Sequence, residues 1–294
     1  MTETADEVAA RRVGALPIWR GGVTLEKLPG GLSNRNFLVR DGSERYVARL
    51  VGGDVPEHGI VRANEIAVSR AAYRAGIAPE LVFAEYDLLV FRFVAGRTLT
   101  AEEVRRPAML DRIAALLRTC HGEVAAHLAG PAPFFWVFHA LRDYLARLEA
   151  GGRMTGEIAR LRRIVGALER RAGPIAPVVT HNDLMPGNLI DDGTRLWLID
   201  WEYGGYGAPL FDLATLAVDN ELDRAAQSYV LAAYLGGEPD AALRDRFAAL
   251  VLAARLRESL WGRVQESHGQ VAFDYRGYAD DHGAKFAREY DGEG

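Results

Sequence analysis

Two short apolar runs that end on polar side chains constrain the fold more than any other feature of the chain. Residues 177–179 lead into Asp183 and Asn188, and a second run ends on Asp200. Runs this short, bounded by turn residues, are typical of buried strands. The Asp-Asp-Gly sequence at residues 191–193 predicts a hairpin that returns Asp200 to the loop carrying Asp183 and Asn188. Loops at strand ends hold side chains on a rigid scaffold, so we expect these three polar groups to meet.

The spacing of these groups is typical of phosphoryl transfer. That reaction needs one carboxylate to accept a hydroxyl proton and two oxygen ligands to hold Mg²⁺ on the phosphates. The protein-kinase pattern H-R-D-x-x-x-x-N, followed by a metal-binding Asp, has the same logic. We therefore predict that Asp183 is the catalytic base and that Asn188 and Asp200 bind Mg²⁺. The alternative is that Asp183 and Asn188 only form turn hydrogen bonds.

The composition limits the classes of function. The chain has 294 residues, enough for one large domain or two lobes, and its net charge of −5 predicts no nucleic-acid partner. The single cysteine, Cys120, allows no internal disulfide, which fits a reducing cytosol. We found no signal peptide and no apolar run near the ~20 residues that span a bilayer. We therefore expect a cytoplasmic protein without membrane insertion.

The first part of the chain predicts a small antiparallel sheet with one helix. The strands cover residues 23–27, 36–40, 46–50, 81–84 and 88–94, and the helix covers residues 61–75. A glycine-rich loop between the first two strands can lay backbone N–H groups and a hydroxyl over phosphates, although it could equally be a plain turn. The predicted nucleotide contacts in this loop are Gly30, Gly31, Ser33 and Asn34.

The rest of the chain is mainly helical, at residues 109–127, 138–149, 158–171, 209–220, 223–235, 240–265 and 273–288. We predict an α+β, protein-kinase-like fold with two lobes. Residues 1–94 would form the nucleotide-binding lobe, with an antiparallel sheet. Residues 95–294 would form the helical lobe, with the catalytic loop and acceptor site. Phe93 and Val94 fall where the linker between the lobes should offer backbone groups to adenine.

Longer stretches around these residues resemble a known family. Residues 181–188, 198–206 and 211–214 are similar to the choline/ethanolamine kinases, which belong to the aminoglycoside-phosphotransferase-like superfamily. The resemblance extends over about residues 30–286. It implies an ATP- and Mg²⁺-dependent kinase that phosphorylates the hydroxyl of a small amino alcohol. Thiamine and aminoglycoside phosphotransferases remain alternatives, and a nucleotide-binding pseudokinase scaffold is an alternative from another class.

The resemblance also implies roles for individual residues. Arg49 takes the place of the third-strand lysine that contacts nucleotide phosphates, and Glu65 would pair with it, unless the two form an ordinary surface pair. His181 would order the catalytic loop through hydrogen bonds. Asp212 would hold backbone N–H groups of that loop; the alternative is a carboxylate that only stabilises a helix end.

The acceptor site should combine negative charge with aromatic faces. Glu202 lies beside the reaction centre in sequence, and the C-terminal helices supply the aromatic residues Trp261, Tyr275 and Tyr278. These rings could instead be packing residues. The choline-kinase pattern has a second aromatic residue where this chain has Val264, which makes ethanolamine or another amino alcohol more credible than choline. The oligomeric state is left open, with a homodimer as one option.

Overall fold

Five antiparallel strands form the sheet of the N-terminal part. The computed structural model describes residues 4–28, 35–51, 60–266 and 273–292. In spatial order β1-β2-β3-β5-β4, the strands are β1 (Thr24–Leu28), β2 (Arg35–Asp41), β3 (Glu44–Leu50), β5 (Leu88–Arg92) and β4 (Leu81–Glu85). The turn between β2 and β3 contains two residues, and its Gly42 has φ +60°, as short hairpin turns of this kind require.

A helix that the sequence analysis did not predict packs on this sheet. Helix α1 (Ala5–Gly14) begins with a capping box, in which Thr4 and Glu7 satisfy each other's backbone N–H groups. It buries Ala9 and Val13 against Val39 and other apolar side chains of the sheet. Asp6 and Glu7 in the first turn and arginines in the last turn complement the helix dipole.

Helix α2 (Arg62–Arg74) connects the sheet to the helical part. Its buried Val68 and Ala71 belong to the apolar core of the helical part rather than to that of the sheet. Gly76, with φ +76°, ends the helix in a left-handed conformation. The next residue, Ile77, accepts a hydrogen bond of 2.8 Å from the backbone N–H of Leu198, near the predicted catalytic loop.

The remaining helices enclose one continuous core. They are α3 (Ala101–Val104), α4 (Pro107–His127), α5 (Val137–Ala150), α6 (Ile158–Ala172), α7 (Pro209–Asp219), α8 (Arg224–Leu235), α9 (Ala241–Gln265) and α10 (Tyr275–Asp291). Helix α9 has 25 residues and is buried along most of its length, as expected for a helix that packs against α5, α6, α7 and α10. Among the helices in the described ranges, none has the length and apolar content that crossing a bilayer requires.

Two small sheets interrupt the helical part. Strands β6 (Arg97–Thr98), β8 (Leu189–Asp191) and β9 (Leu196–Leu198) form one, and β7 (Val178–Thr180) pairs with β10 (Gly205–Gly207) in the other. The hairpin of β8 and β9 lies where the sequence predicted it, whereas β6 and β10 were not predicted. An antiparallel sheet followed by a mainly helical part agrees with the predicted fold class, but the division into lobes at residue 94 stays a prediction.

Candidate active site

The loop between β7 and β8 brings Asp183 and Asn188 into contact. Residues 186–188 form a turn of 3₁₀ helix, closed by a 3.0 Å hydrogen bond from the Asn188 N–H to the Met185 carbonyl. The Asn188 side-chain amide then donates to the Asp183 backbone oxygen at 2.9 Å and to its carboxylate Oδ2 at 3.0 Å. The five-residue spacing therefore places the two side chains side by side.

Asp200 reaches the same place through the β8–β9 ladder. Leu189 pairs with Leu198, and the Ile199 N–H donates to the Asn188 carbonyl at 3.0 Å, so Asp200 follows directly from a residue bonded to the catalytic loop. Its φ of +65° is rare for a residue with a side chain and marks a constrained backbone. The Asp200 carboxylate pairs with Arg49, and its negative charge contributes to raising the pKa of Asp183.

The environment of Asp183 raises the pKa of its carboxyl. Burial raises the pKa of its carboxyl to about 7; Arg257 and the Asn188 hydrogen bond oppose this rise, and the charges of Glu258 and Asp200 add to it. A carboxylate with a pKa near neutrality is well matched to accepting a proton at physiological pH.

Buried polar groups behind the loop fix its backbone. The fully buried Asp212 accepts hydrogen bonds from the backbone N–H groups of His181 at 2.9 Å and of Asn182 at 2.6 Å, and His121 Nε2 lies 2.9 Å from the same carboxylate. His181 Nε2 lies 2.9 Å from the Ile199 carbonyl, so it donates there. Burial lowers the pKa of His181, so its ring is neutral and suited to a structural role.

A chain of charges lies on the side where phosphates are expected. Arg49 pairs with Glu65 and with Asp200, and Arg62 pairs with Glu65 at 2.6 Å and with Glu202 at 3.3 Å. The Arg49 and Glu65 side chains are only 8% and 0% exposed, so they do not form an ordinary surface pair. Burial and the charge of Asp200 raise the pKa of Glu202 to about 7, against the opposing charges of Arg49 and Arg62. Arg62 and Arg49 therefore join Glu202, Glu65 and Asp200 in one chain of ion pairs.

The structure describes only some of the other residues that are predicted to contact the nucleotide. Phe93 and Val94 follow β5, and the Phe93 N–H donates to the Arg45 carbonyl at 3.0 Å. Two residues further on, Gly96 passes close to β8. A Cβ at this position would lie 2.6 Å from the Asp191 carbonyl oxygen, so only glycine fits here. The predicted loop contacts lie outside the described residues: Gly30, Gly31, Ser33 and Asn34.

The three predicted acceptor aromatics form one cluster, which we call the aromatic wall: Trp261, Tyr275 and Tyr278, together with Phe273. The Trp261 ring centroid lies 5.8 Å from each tyrosine ring, at edge-to-face angles. Helices α9 and α10 approach closely here, because Gly262 leaves no room for a Cβ beside the Ala279 methyl group. Val264 is buried in the core.

Two acidic residues near this wall were missed by the sequence analysis. Glu258 Oε2 accepts a 2.7 Å hydrogen bond from the Tyr278 hydroxyl, and its Oε1 pairs with Arg257 at 3.2 Å. Asp219 is the last residue of α7; burial raises the pKa of its carboxyl well above the usual value, and the charges of Glu258 and Asp183 raise it further. Glu258 could have been found because it precedes Trp261 by one helical turn. Asp219 could have been found as a carboxylate at a helix C-terminus, where the dipole disfavours it.

The charges of Asp200 and Glu258 both act on Asp183. Asp200 pairs with Arg49 and belongs to a first acidic group with Glu202, and Glu258 bonds Tyr278 of the aromatic wall and belongs to a second with Asp219. A phosphate-bound cation fits the first group, because carboxylate oxygens suit hard metal ions. An organic cation fits the second group, because it adds aromatic faces to carboxylates.

Comparison with known proteins assigns the family. Residues 24–250 match the phosphotransferase enzyme family. The chain belongs to this family. Over 259 residues it is 26% identical to Protein LicA of Haemophilus influenzae, covering 84% of this chain and 75% of LicA. Over 286 residues it is 25% identical to human ethanolamine kinase 2, covering 87% of this chain and 73% of that protein.

The solved structures give the same assignment for this phosphotransferase. A choline/ethanolamine kinase family protein from Mesorhizobium loti superposes with a TM-score of 0.78 and 28% identity, covering 97% of this chain and 95% of that chain. The predicted resemblance to the choline/ethanolamine kinases is confirmed, and so is the protein-kinase-like α+β fold. The chain is a phosphotransferase that acts on an alcohol group, as predicted.

Proposed function

We propose that this phosphotransferase transfers the γ-phosphoryl group of ATP, with Mg²⁺, to the hydroxyl of a small amino alcohol of the ethanolamine or choline type. One observation carries the proposal: the Asp183 carboxylate is held by the Asn188 amide, and the charges of Asp200 and of Glu258, which bonds Tyr278 of the aromatic wall, both act on it. A base in this position can reach a hydroxyl whose ammonium end is held by the wall, while phosphates lie on the side of Arg49.

The donor groups fit Mg²⁺. Asn188 uses its amide nitrogen to bond Asp183, so its amide oxygen is directed away and can bind a cation. Asp200 and Glu202 add carboxylate oxygens, which are the ligands that Mg²⁺ prefers. We therefore assign Glu202 to the metal side, in place of its predicted contact with the acceptor. Bound Mg²⁺ would neutralise charge on the transferring phosphoryl group.

Each of these side chains has a separate role in the proposed reaction. Asp183 accepts the proton of the acceptor hydroxyl, and Asn188 orients the Asp183 carboxylate through its amide N–H. Arg49, held in place by Glu65, supplies a permanent positive charge toward the phosphates. Asp212 keeps the loop backbone in position, so the base and the metal ligands stay aligned.

The alternative functions from the sequence analysis differ in the acceptor that the aromatic wall would have to bind. Aminoglycosides and thiamine are larger alcohols with several cationic or aromatic groups, whereas Trp261 and the two tyrosine rings form one cluster beside a single acidic residue, Glu258. This favours a small ammonium group. The complete set of Asp183, Asn188 and Asp200 disfavours a scaffold without activity. A homodimer and a cytoplasmic location stay predictions.

A coupled ATP-turnover assay tests the proposal. We expect turnover with ethanolamine or choline, and none with thiamine or kanamycin. Asp183→Asn should lower kcat by at least about 10²-fold while the affinity for Mg-ATP changes little, because only the base is lost. Asp245→Asn, an exposed carboxylate paired with Arg171, is the matched control and should keep wild-type turnover. Wild-type kcat in Asp183→Asn, or turnover with thiamine or kanamycin alone, would reject the proposal.

A further inference from the structure

Arg62 is a buried arginine at the start of helix α2. In the described part of the chain it is one of the largest side chains that are fully buried. It is the first residue of its helix, and Val61 before it provides no side-chain cap. A positive charge at a helix N-terminus opposes the helix dipole, and a buried charge is costly unless it is paired. The position of Arg62 must therefore be explained by its partners in the tertiary structure.

Two carboxylates from different parts of the chain pair with Arg62. Its Nη1 donates to Glu65 Oε2 at 2.6 Å, one turn along the same helix, and to Glu202 Oε2 at 3.3 Å. Within the described ranges, Arg62 is the only cationic side chain that pairs with Glu202. The direction of the mostly buried Glu202 carboxylate therefore depends on Arg62.

Glu65 anchors two arginines at once. Its fully buried carboxylate pairs with Arg49 through Oε1 and with Arg62 through Oε2. Arg49 also pairs with Asp200, so the ion pairs begin on Asp200 and end on Glu202, two residues later in the same loop. We call these five residues the ion-pair ring. Its three carboxyl groups outnumber its two guanidinium groups, so the ring can accommodate a further positive charge.

Helix α2 also packs directly against the loop that carries these carboxylates. The Gly204 N–H donates to the Trp201 carbonyl at 2.9 Å, so residues 201–204 form a tight turn. A Cβ at Gly204 would lie 2.9 Å from Val68 Cγ1 on α2, so the turn and the helix are in close contact. Arg62, Glu65 and Val68 follow one another at intervals of three residues, along one side of the helix. The ion pairs and this apolar contact therefore join the same two elements.

We propose that Arg62 is a positioning residue for phosphoryl transfer, which keeps the Glu202 carboxylate in the orientation in which it serves as a metal ligand. The inference rests on the proposed function and deepens it. Arg62 acts through Glu202, and Glu65 keeps the guanidinium in place. A guanidinium suits this role because its rigid fork can bond two carboxylates at once. Loss of such an outer partner of a metal ligand lowers metal affinity by about 10- to 100-fold.

A positioning role and a purely electrostatic role predict opposite effects on metal binding. Removing a positive charge beside a cation site strengthens the attraction between the site and the cation, so charge alone predicts that Arg62→Met binds metal more tightly. Loss of orientation predicts weaker binding, because Glu202 is no longer fixed. A merely structural role predicts lower stability with unchanged metal affinity. The direction of the change in metal affinity therefore distinguishes the three roles.

Mn²⁺ titrations followed by electron paramagnetic resonance, with ADP bound, measure metal affinity without turnover. We expect Arg62→Met to raise the Kd for Mn²⁺ by about 10- to 100-fold. Arg62→Lys should raise it by about 3- to 10-fold, because lysine keeps the charge but not the fork. The lysine variant retains a cation between Glu65 and Glu202, so it tests the inference even if Arg62→Met does not fold. The affinity for a fluorescent ADP analogue in EDTA should change by less than about threefold, because Arg49 keeps Glu65 as a partner.

A double-mutant cycle tests whether Arg62 acts through Glu202. Glu202→Gln should itself weaken Mn²⁺ binding, because it removes a carboxylate ligand. Adding Arg62→Met to Glu202→Gln should raise the Kd by less than about twofold more, because the group that Arg62 positions is already lost. Two effects that add in full would show that Arg62 acts by another route and would reject the inference.

Arg255 on helix α9 is the matched control. It is also buried, with a side chain only 3% exposed, and it bridges two carboxylates outside the ion-pair ring, Glu221 at 3.0 Å and Glu289 at 3.2 Å. Arg255→Met should lower the melting temperature, as Arg62→Met does, because both leave buried charges with one partner fewer. It should leave the Kd for Mn²⁺ within about twofold of the wild type, because neither partner belongs to the ring.

The outcomes separate this inference from the proposed function. If the wild-type enzyme with ADP binds no Mn²⁺, the proposed metal site is wrong and the role of Arg62 is rejected with it. If the wild type binds Mn²⁺ and both Arg62 variants bind it equally well or more tightly, only the positioning role is wrong and the proposed kinase remains.

Discussion

Replacing Asp212 with asparagine should uncouple the catalytic loop from the helical core. The Asp212 carboxylate is fully buried and takes three hydrogen bonds, from the N–H groups of His181 and Asn182 and from the His121 ring. Asparagine has one acceptor oxygen, and its NH₂ group would face a donor. In the better orientation the oxygen keeps the bonds to His181 and His121, and the N–H of Asn182 is left without a partner.

The magnitude follows from these contacts. One charge-assisted bond is lost, a buried N–H becomes unsatisfied and the two remaining bonds become neutral, so we expect a loss of about 2–4 kcal/mol in the free energy of unfolding. Asn182 has φ +68°, a conformation that needs external support, so part of this loss should appear as displacement of the loop. Displacing Asp183 by about 1 Å would lower kcat by about 10²-fold.

Urea unfolding and steady-state kinetics measure the two effects. The KM for ATP should change little, because Arg49 and the N-terminal sheet do not depend on Asp212. Tyr234→Phe is the matched control: it removes only the hydroxyl that lies 2.8 Å from His121 Nδ1, at the outer end of the network. It should cost about 0.5–1.5 kcal/mol and leave kcat within about threefold. An Asp212→Asn enzyme with wild-type stability and kcat would refute the reasoning.

Two further perturbations address the wall and the hairpin. Trp261→Ala should raise the KM for the acceptor by about 3- to 30-fold and the KM for ATP much less, since a cation–π contact is lost; equal changes would argue against an ammonium site. Asp191→Asn should cost about 1–2 kcal/mol at pH 7 in urea unfolding. Arg112, bonded to both Asp191 oxygens, lowers the pKa of Asp191 to about 2, so its stabilisation exists above the unfolded-state pKa near 3.8 and is lost as pH falls toward 2. A difference between wild type and variant that stays constant from pH 7 to pH 2 would contradict this assignment.

Local patterns predicted much of the fold and the contact between Asp183 and Asn188. The spacing from Asp183 to Asn188 spans a single tight loop, and Asp200 follows a hairpin of short strands, so backbone geometry over a few residues decides where these groups lie. The long helices were predicted for the same reason, because their apolar periodicity repeats over several turns. Helix α1 was missed although its capping box, Thr4 to Glu7, was readable in the sequence.

Other features were not readable from local patterns. Strands β6 and β10 have two and three residues and exist because of partners about 90 and 25 residues away, so their own sequence carries too little signal. Glu202 is predicted to contact the acceptor, and its pairing with Arg62 from α2 could not be predicted from the sequence around either residue. Such pairings depend on how distant elements pack.

The local sequence alone therefore determined how Asp183 and Asn188 lie relative to each other, since a tight turn allows few conformations. The surroundings of the proposed acceptor site were decided by packing. Asp219 ends α7, Glu258 lies in the C-terminal third of α9, and Tyr278 lies in the first turn of α10; nothing in their separate sequences brings them together. They meet only because three amphipathic helices bury their apolar faces against one core, and that burial carries their polar ends to Asp183.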